Sequence, residues 1–472
     1  QPFEIIKVST DGDNDETEKV PGAEFTVKLQ SDIDKSGWEQ AKTYDVLVTN
    51  ERGYAKSIDL PYGTYLVKET KVPKDLYKTD DFTVTVTEDS REPQVWRILN
   101  DAPFEAYIRF VKKDKESGET VLLSGVTFKI KKAGSDTFVE QKVGDKKISE
   151  FITDETGTVT TPLKLKYGEY EVTEITAPEG YLITKESFPF TVTKEGAVEV
   201  LEDEDGDPVI TVVVENQPVK GSITIHKEGE ILVGAEYDTI IDRILTAVTG
   251  DNRSVRFQYE EAPLSGAVYH LIADEDIYTP DNQKDEEGNR KIAVIDGVSA
   301  TQGAVVAILT TDEEGEASVS DLPLGKYRIE EVEAPKGFVL DEEAKQIELT
   351  YEDEHTEIVY QNAELVDERV KTELSLVKKN SVNEVPVEGA TYGVYATVDI
   401  VTVDGEILVK ADSLIESVQT DEEGKAVFEA DLPLGRYYVK EIETAPGYLV
   451  DESEYEVDFT YQDAKQAILS EE

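Results

Sequence analysis

A lysine, a glutamate and an asparagine recur in fixed order along this chain, and together they can make a covalent bond. Lys7, Lys112, Lys227 and Lys378 each end a short alternating strand: Phe3 to Lys7, Ile108 to Lys112, Ile223 to Lys227 and Leu374 to Lys378. Glu69, Glu174, Glu331 and Glu441 each stand four residues after a tyrosine (Tyr65, Tyr170, Tyr327, Tyr437). Asn100, Asn216 and Asn362 close three of the four copies. If the first and last strands of a domain pair, lysine and asparagine become neighbours, and a glutamate from a middle strand lies across from them. Burial disfavours charge, so the lysine pKa falls and the glutamate pKa rises. A neutral amine is a nucleophile. A neutral carboxylic acid hydrogen-bonds the carboxamide, polarises it and carries a proton to departing ammonia. The expected product is a Lys–Asn isopeptide bond, formed once, between reactants that the fold holds together.

The competing reading of any single copy is a solvated strand-end lysine with a glutamate as its ion-pair partner. Four copies in register argue against it. Glutamate at Tyr+4 shares the phase of the inward tyrosine and of Val67, Val172, Ile329 or Val439, which puts it on the core face. An unpaired carboxylate there is costly. Lys113 and Lys379 adjoin the chosen lysines; Lys112 and Lys378 are selected because they share the phase of Lys7 and Lys227. The fourth copy has Lys378 and Glu441 but no asparagine near its end. Either that residue lies just past Glu472, which is the reading preferred, or this copy is unlinked.

The elements that must position these groups also repeat. Gly-Ala/Val-x-Phe/Tyr occurs at Gly22 to Phe25, Gly125 to Phe128, Gly266 to Tyr269 and Gly389 to Tyr392. Thr-Asp/Asn-Glu-x-Gly occurs at Thr49 to Gly53, Thr153 to Gly157, Thr311 to Gly315 and Thr420 to Gly424, and reads as a turn. Leu-Pro-x-Gly precedes the tyrosine in three copies; the second has Leu165-Lys166-Tyr167-Gly168. Phe82 to Thr87 and Phe188 to Thr193 alternate with period two, while Ile210 to Val214 reads as a strand buried on both faces. Short strands between turn signals predict an all-β chain of four tandem antiparallel sandwiches of the immunoglobulin type. The domains are placed at 1–102, 103–218, 219–364 and 365–472, each long enough for its own core. Short, proline-containing linkers predict a rod-like array. The third copy carries an insertion at about 229–263, where Ile240, Ile241, Ile244, Leu245 and Val248 share a helical face.

A formal net charge of -54 excludes nucleic acid as a partner and disfavours an anionic membrane surface. With no cysteine, disulfides and thiolate metal sites are excluded. The three histidines have no ligand spacing. Asp11, Asp13 and Asp15 begin like a calcium loop, but position six is not glycine and position twelve is Gly22. An acidic turn is the better reading, for these and for Asp203, Asp205 and Asp207, and neither metal nor cofactor is assigned. The chain begins at Gln1 and contains no methionine, so it is read as a segment whose export signal and wall anchor lie outside it.

These residues also carry a family resemblance. The run Leu322-Pro323-Leu324-Gly325-Lys326-Tyr327-Arg328-Ile329-Glu330-Glu331-Val332-Glu333-Ala334-Pro335-Lys336-Gly337-Phe338, with Tyr437 to Tyr448 and Tyr170 to Tyr181, resembles the collagen-adhesin B-type (SpaA-like, prealbumin-like) domains of Gram-positive surface adhesins and pilins. Copy one departs from it, with Lys74-Asp75-Leu76-Tyr77 after Pro73 and no glycine. The resemblance implies a reversed-immunoglobulin sandwich with a self-formed isopeptide. By position it implies Lys7–Asn100 with Glu69, Lys112–Asn216 with Glu174, and Lys227–Asn362 with Glu331. It further implies a monomeric, wall-attached extracellular stalk segment rather than a turnover enzyme. The alternatives are a ligand-binding adhesin with the enlarged third domain as its receptor-binding head, and a sortase-polymerised pilin shaft. The partners expected are a host extracellular-matrix protein or neighbouring surface-protein subunits.

Overall fold

The structure is a computed structural model. It describes every residue except 12–15, 74–75, 88–95, 185, 198, 201–205 and 238–254, and it leaves undescribed the side chains of 10–11, 16–17, 96–101 and 199–200. The calcium-loop candidates Asp13 and Asp15, the side chain of Asp11 and the expected helix over Ile240 to Val248 therefore lie outside it. Of the second acidic run, Asp207 is described, and it accepts from Lys164 Nζ at 2.6 Å.

The same two-sheet sandwich occurs four times. One sheet is built on a lysine strand: Glu4–Asp11, Glu105–Asp114, Lys220–Tyr237 and Lys371–Val377. A closing strand lies beside it in each copy: Trp96–Asp101, Pro208–Asn216, Ile358–Asp367 and Ile468–Glu471. The facing sheet centres on an aromatic strand (Glu24–Leu29, Thr127–Lys132, Val268–Ala273, Thr391–Ala396) paired with a tyrosine strand (Gly63–Lys71, Gly168–Thr176, Gly325–Glu333, Gly435–Glu443). Described strands pair antiparallel except at one place in each copy, where the lysine and closing strands run parallel.

Alternation positions the chemistry. Ala106, Ile108, Phe110 and Lys112 all point inward from one strand, so the lysine ends an apolar column. All four tyrosine strands bury the same three positions, with glutamate third after Tyr and Val or Ile. Pro208–Asn216 departs from the expected two-face burial. Ile210, Val212 and Val214 are buried while Val213 is exposed, because that sheet covers the core with one face only. A helical segment at Gln30–Gln40, kinked at Gly37, was not foreseen from the sequence. The Ile358–Asp367 strand runs through the boundary expected at 364.

The chain forms two compact units. The first is Gln1–Pro218 with the short segments Asp281–Gln283 and Asp353–His355; the second is the remainder. Among the described residues, no helix is long and apolar enough to cross a membrane.

Candidate functional site

Each lysine is fixed by its backbone before its amine meets anything. The backbone N–H of Lys7, Lys112, Lys227 and Lys378 donates to the turn glycine carbonyl of Gly53, Gly157, Gly315 and Gly424, at 2.7 to 3.0 Å. The lysine carbonyl accepts from Val20, Val121, Leu264 or Val387. The turn threonine is buried and joins this segment to the aromatic strand: Thr153 Oγ1 donates to Leu123 O and accepts from Val126 N. Gly157 has φ +70, and a Cβ there would stand 1.9 Å from Val121 O, so this turn requires glycine.

The second domain brings all three expected residues together. Lys112 is fully buried and donates to Glu174 Oε1 at 2.7 Å. Its amine also lies in direct contact with Asn216 Oδ1. The carboxamide nitrogen of Asn216 is held by Glu174 Oε2 at 2.9 Å and Leu182 O at 2.6 Å, which turns the carbonyl end toward the amine. Thr184 N–H donates to Glu174 Oε2 at 2.9 Å. Burial pulls the Lys112 amine below its ordinary pKa, outweighing the opposing charge and hydrogen bond of Glu174.

The third domain differs from expectation. Asn362 is exposed and pairs with Thr224, so the structure does not bring it to Lys227. Lys227 Nζ instead contacts Asp367 Oδ1 and lies 3.1 Å from Glu331 Oε1. The reason is strand parity: Asn362 and Asp367 are an odd number of residues apart and face opposite sides of the sheet. Burial pushes the Asp367 carboxyl up to about 7, although Lys227 pulls it down. Asp367 Oδ2 has no hydrogen-bond partner among the described residues.

In the first domain, Lys7 is fully buried and lies 3.1 Å from Glu69 Oε2. The Asn100 side chain lies outside the description, but the backbone register is clear. Asn216 stands opposite Asp114 and Asp367 opposite Gly229, each two residues past the lysine. The same position past Lys7 is Ser9, and it faces Asp101; Asn100 faces Val8. A second alignment agrees. Isolated bridges fix Pro218 to Tyr181, Arg369 to Phe338 and Pro103 to Leu76, and each fixed residue is two past Asn216, Asp367 and Asp101 respectively. By backbone register, the position equivalent to Asn216 and Asp367 is thus that of Asp101, one past the expected Asn100.

The fourth domain holds a pair rather than a trio among its described residues. Lys378 Nζ lies 3.3 Å from Glu441 Oε2. The pairing of Ile468–Glu471 with the lysine strand ends at Leu374 opposite Glu471, before Lys378 is reached. Burial lowers the Lys378 pKa, but bonds to Tyr392 and Glu441 outweigh it and hold the amine above its ordinary value. Glu441 Oε1 is buried without a described partner.

Two parts of the site were not read from the sequence. The aromatic of Gly-Ala/Val-x-Phe/Tyr covers the amine: Phe25, Phe128, Tyr269 and Tyr392 lie 5.3 to 5.8 Å from the four lysine nitrogens. Tyr269 also donates to Glu331 Oε1 at 2.9 Å. The second part is a backbone donor ten residues past each glutamate. Thr79, Thr184, Asp341 and Asp451 N–H groups donate to Oε2 of Glu69, Glu174, Glu331 and Glu441, at 2.6 to 2.9 Å. The repeated aromatic was visible as a motif; the donors lie in loops that carry no common residue type. No group of histidine and acidic side chains that could hold a metal occurs among the described residues.

Tandem two-sheet sandwiches, three of them with a lysine and a glutamate buried between parallel terminal strands and the facing sheet, define a class of prealbumin-like repeat proteins. The chain belongs to the SpaA family of prealbumin-like fold domains, whose model matches residues 2–97, 106–206, 258–364 and 372–471. Similar solved structures include the Bacillus anthracis TIE protein (18% identity, TM-score 0.45, covering 100% of this chain and 74% of that one). BcpA, the major pilin subunit of Bacillus cereus, is similar at 14% identity and TM-score 0.30, covering 78% of this chain and 98% of that one. The shaft pilin SpaA from Lactobacillus rhamnosus GG is similar at 17% identity and TM-score 0.21, covering 46% and 97%. No match is found among curated protein sequences.

Proposed function

We propose that this chain is a load-bearing stalk segment of a Gram-positive, wall-attached surface protein, and that its first three domains are each closed by one self-formed isopeptide bond. The pairs are Lys7–Asp101, Lys112–Asn216 and Lys227–Asp367, with Glu69, Glu174 and Glu331 as the proton carriers. In domain 2 the neutral Lys112 Nζ attacks the Asn216 carbonyl carbon. The new C–N bond replaces the bond to Nδ2, and Glu174, already bonded to both nitrogens, carries a proton from Nζ to the leaving ammonia. Domains 1 and 3 run the same exchange on a protonated carboxyl group and release water. Each site reacts once and consumes its own side chains, so it is no turnover catalyst.

The parallel pairing explains the mechanical use. In a parallel pair, the chain enters at one end of the first strand and leaves at the far end of the last. A pull on both ends therefore shears that pair, and a covalent bond across it carries the load while the rest of the sandwich stays folded. Closing loops of this length also restricts the unfolded chain, by about 4–5 kcal/mol on the disulfide model. Neighbouring subunits of a surface assembly are the partners this reading implies.

The observation that carries the reading is the buried contact of Lys112, Glu174 and Asn216. Intact-mass spectrometry tests it. The chain is expected to be light by one ammonia and two waters, and a full calculated mass would leave only buried ion pairs.

A further inference from the structure

We propose that the insertion in the third domain is an intramolecular splint that completes the core of the fourth domain and makes the two domains one cooperative unit. The lysine strand of domain 3, Lys220–Tyr237, is 18 residues long. Its first part belongs to the domain 3 sheet, pairing with Glu316–Leu322 and with the closing strand. Its second part leaves that sheet and pairs with Val255–Pro263 as a ribbon. A two-stranded ribbon is marginal by itself in water and needs a surface to cover its apolar face.

That surface is domain 4. Val255 and Phe257 are buried in the same core as Val370, Leu374, Phe428 and Leu432, and Leu232, Ala235, Tyr237 and Tyr259 of the ribbon pack against it. Alternation separates the two faces, since Arg256 and Gln258 are exposed. Two tyrosines add directional contacts: Tyr237 Oη donates to Leu408 O at 2.9 Å and Tyr259 Oη donates to Asp431 O at 3.1 Å. The connection between the domains is held by the same ribbon. Arg369 stacks 3.7 Å over the Tyr259 ring and forms ion pairs with Glu230 on the ribbon and Asp431 in domain 4.

Domain 4 is also the domain that needs support. Its lysine-strand sheet has three strands where those of domains 1 and 2 have four and five. Its Lys378 finds no acid or amide on the closing strand among the described residues. The inference stands on packing alone and does not depend on any isopeptide bond.

Hydrogen exchange on the full chain with Phe257→Asp tests it, with Arg256→Ser on the exposed ribbon face as the control. The amides of Lys371–Val377 and Lys425–Phe428 are expected to exchange about tenfold faster or more in Phe257→Asp, while Val268–Ala273 in domain 3 stays protected and the control matches wild type. Phe257→Ala, which leaves the ribbon pairing intact, is expected to give the same order at smaller amplitude, and it decides the matter should the aspartate variant fail to fold. Unchanged protection of domain 4 in the variant read would overturn the proposal. So would a loss of protection confined to domain 3, because the ribbon would then be a part of domain 3 alone.

Discussion

Lys227 and Asp367 meet in the dry interior of the third domain, where sequence order had offered Asn362 instead. The pairing makes a direct chemical claim. Asp367→Ala is expected to raise the mass of the chain by one water beyond the substitution itself, and Asn362→Ala is expected to change nothing but the substituted atoms. Intact mass of the two variants separates Asp367 from Asn362 as the acceptor.

The same pair sets a pH dependence. An Asp carboxyl must be protonated to lose water, and burial pushes Asp367 up to about 7. Refolding from denaturant below pH 7 is therefore expected to form the Lys227–Asp367 bond readily, and progressively more slowly as pH rises past 7. In the chain before linkage, the raised value also affects stability. The protonated folded form is favoured, so its contribution is complete below the ordinary aspartate value and is lost as pH rises through about 7. Linkage of Lys112 to Asn216, whose acceptor does not titrate, should not share the acceptor's step. Time-resolved mass spectrometry of refolding reads both.

Glu174→Ala removes the group that touches both reacting nitrogens in domain 2. The variant is expected to keep its ammonia and to unfold domain 2 earlier, with a loss of about 4–5 kcal/mol of loop restriction from the missing bond. Mass and scanning calorimetry give the two readouts. An unchanged mass deficit would mean that Lys112 and Asn216 react without Glu174.

Gly157→Ala tests the turn that holds Lys112. The new Cβ would collide with Val121 O, and the backbone sits at φ +70. The cost is expected to be about 1–3 kcal/mol of strain or more. Because Gly157 O also accepts from Lys112 N, linkage of Lys112 should slow as well. Comparing the linkage rate with that of domain 3 in the same chain supplies an internal control.

Lys378 is held as an ammonium by Tyr392 and Glu441. Within residues 1–472 its tryptic peptide is expected to be recovered unbranched. A branched peptide containing Lys378 would show that a side chain of this segment reaches it after all.

The parts of this site that depend on local phase were legible in the sequence. Lys112 and Glu174 follow from strand alternation, and the Thr153–Gly157 turn from its residue types. Of the acceptors only Asn216 was, because the register between two strands about a hundred residues apart is set by pairing and not by residue type. Asn100 and Asp101 are neighbours in sequence, and only the backbone register, opposite Val8 and Ser9, tells them apart. One usable signal was present: Asn216 and Asp101 each stand two residues before a proline, Pro218 and Pro103. Asp367 lacks that mark, since Arg369 takes the proline's place. The ribbon was missed for another reason. The helical spacing of Ile240 to Val248 is the more conspicuous apolar pattern of the insertion, while the period-two alternation of Val255, Phe257 and Tyr259 with Arg256 and Gln258 carries the docking face.

Peptide mapping of the untreated, full-length chain tests the central claim most directly. Tryptic digestion followed by tandem mass spectrometry should yield a branched peptide joining the Lys112 strand to the Asn216 strand, short by one ammonia. Recovery of those two peptides as separate, full-mass linear species would contradict it.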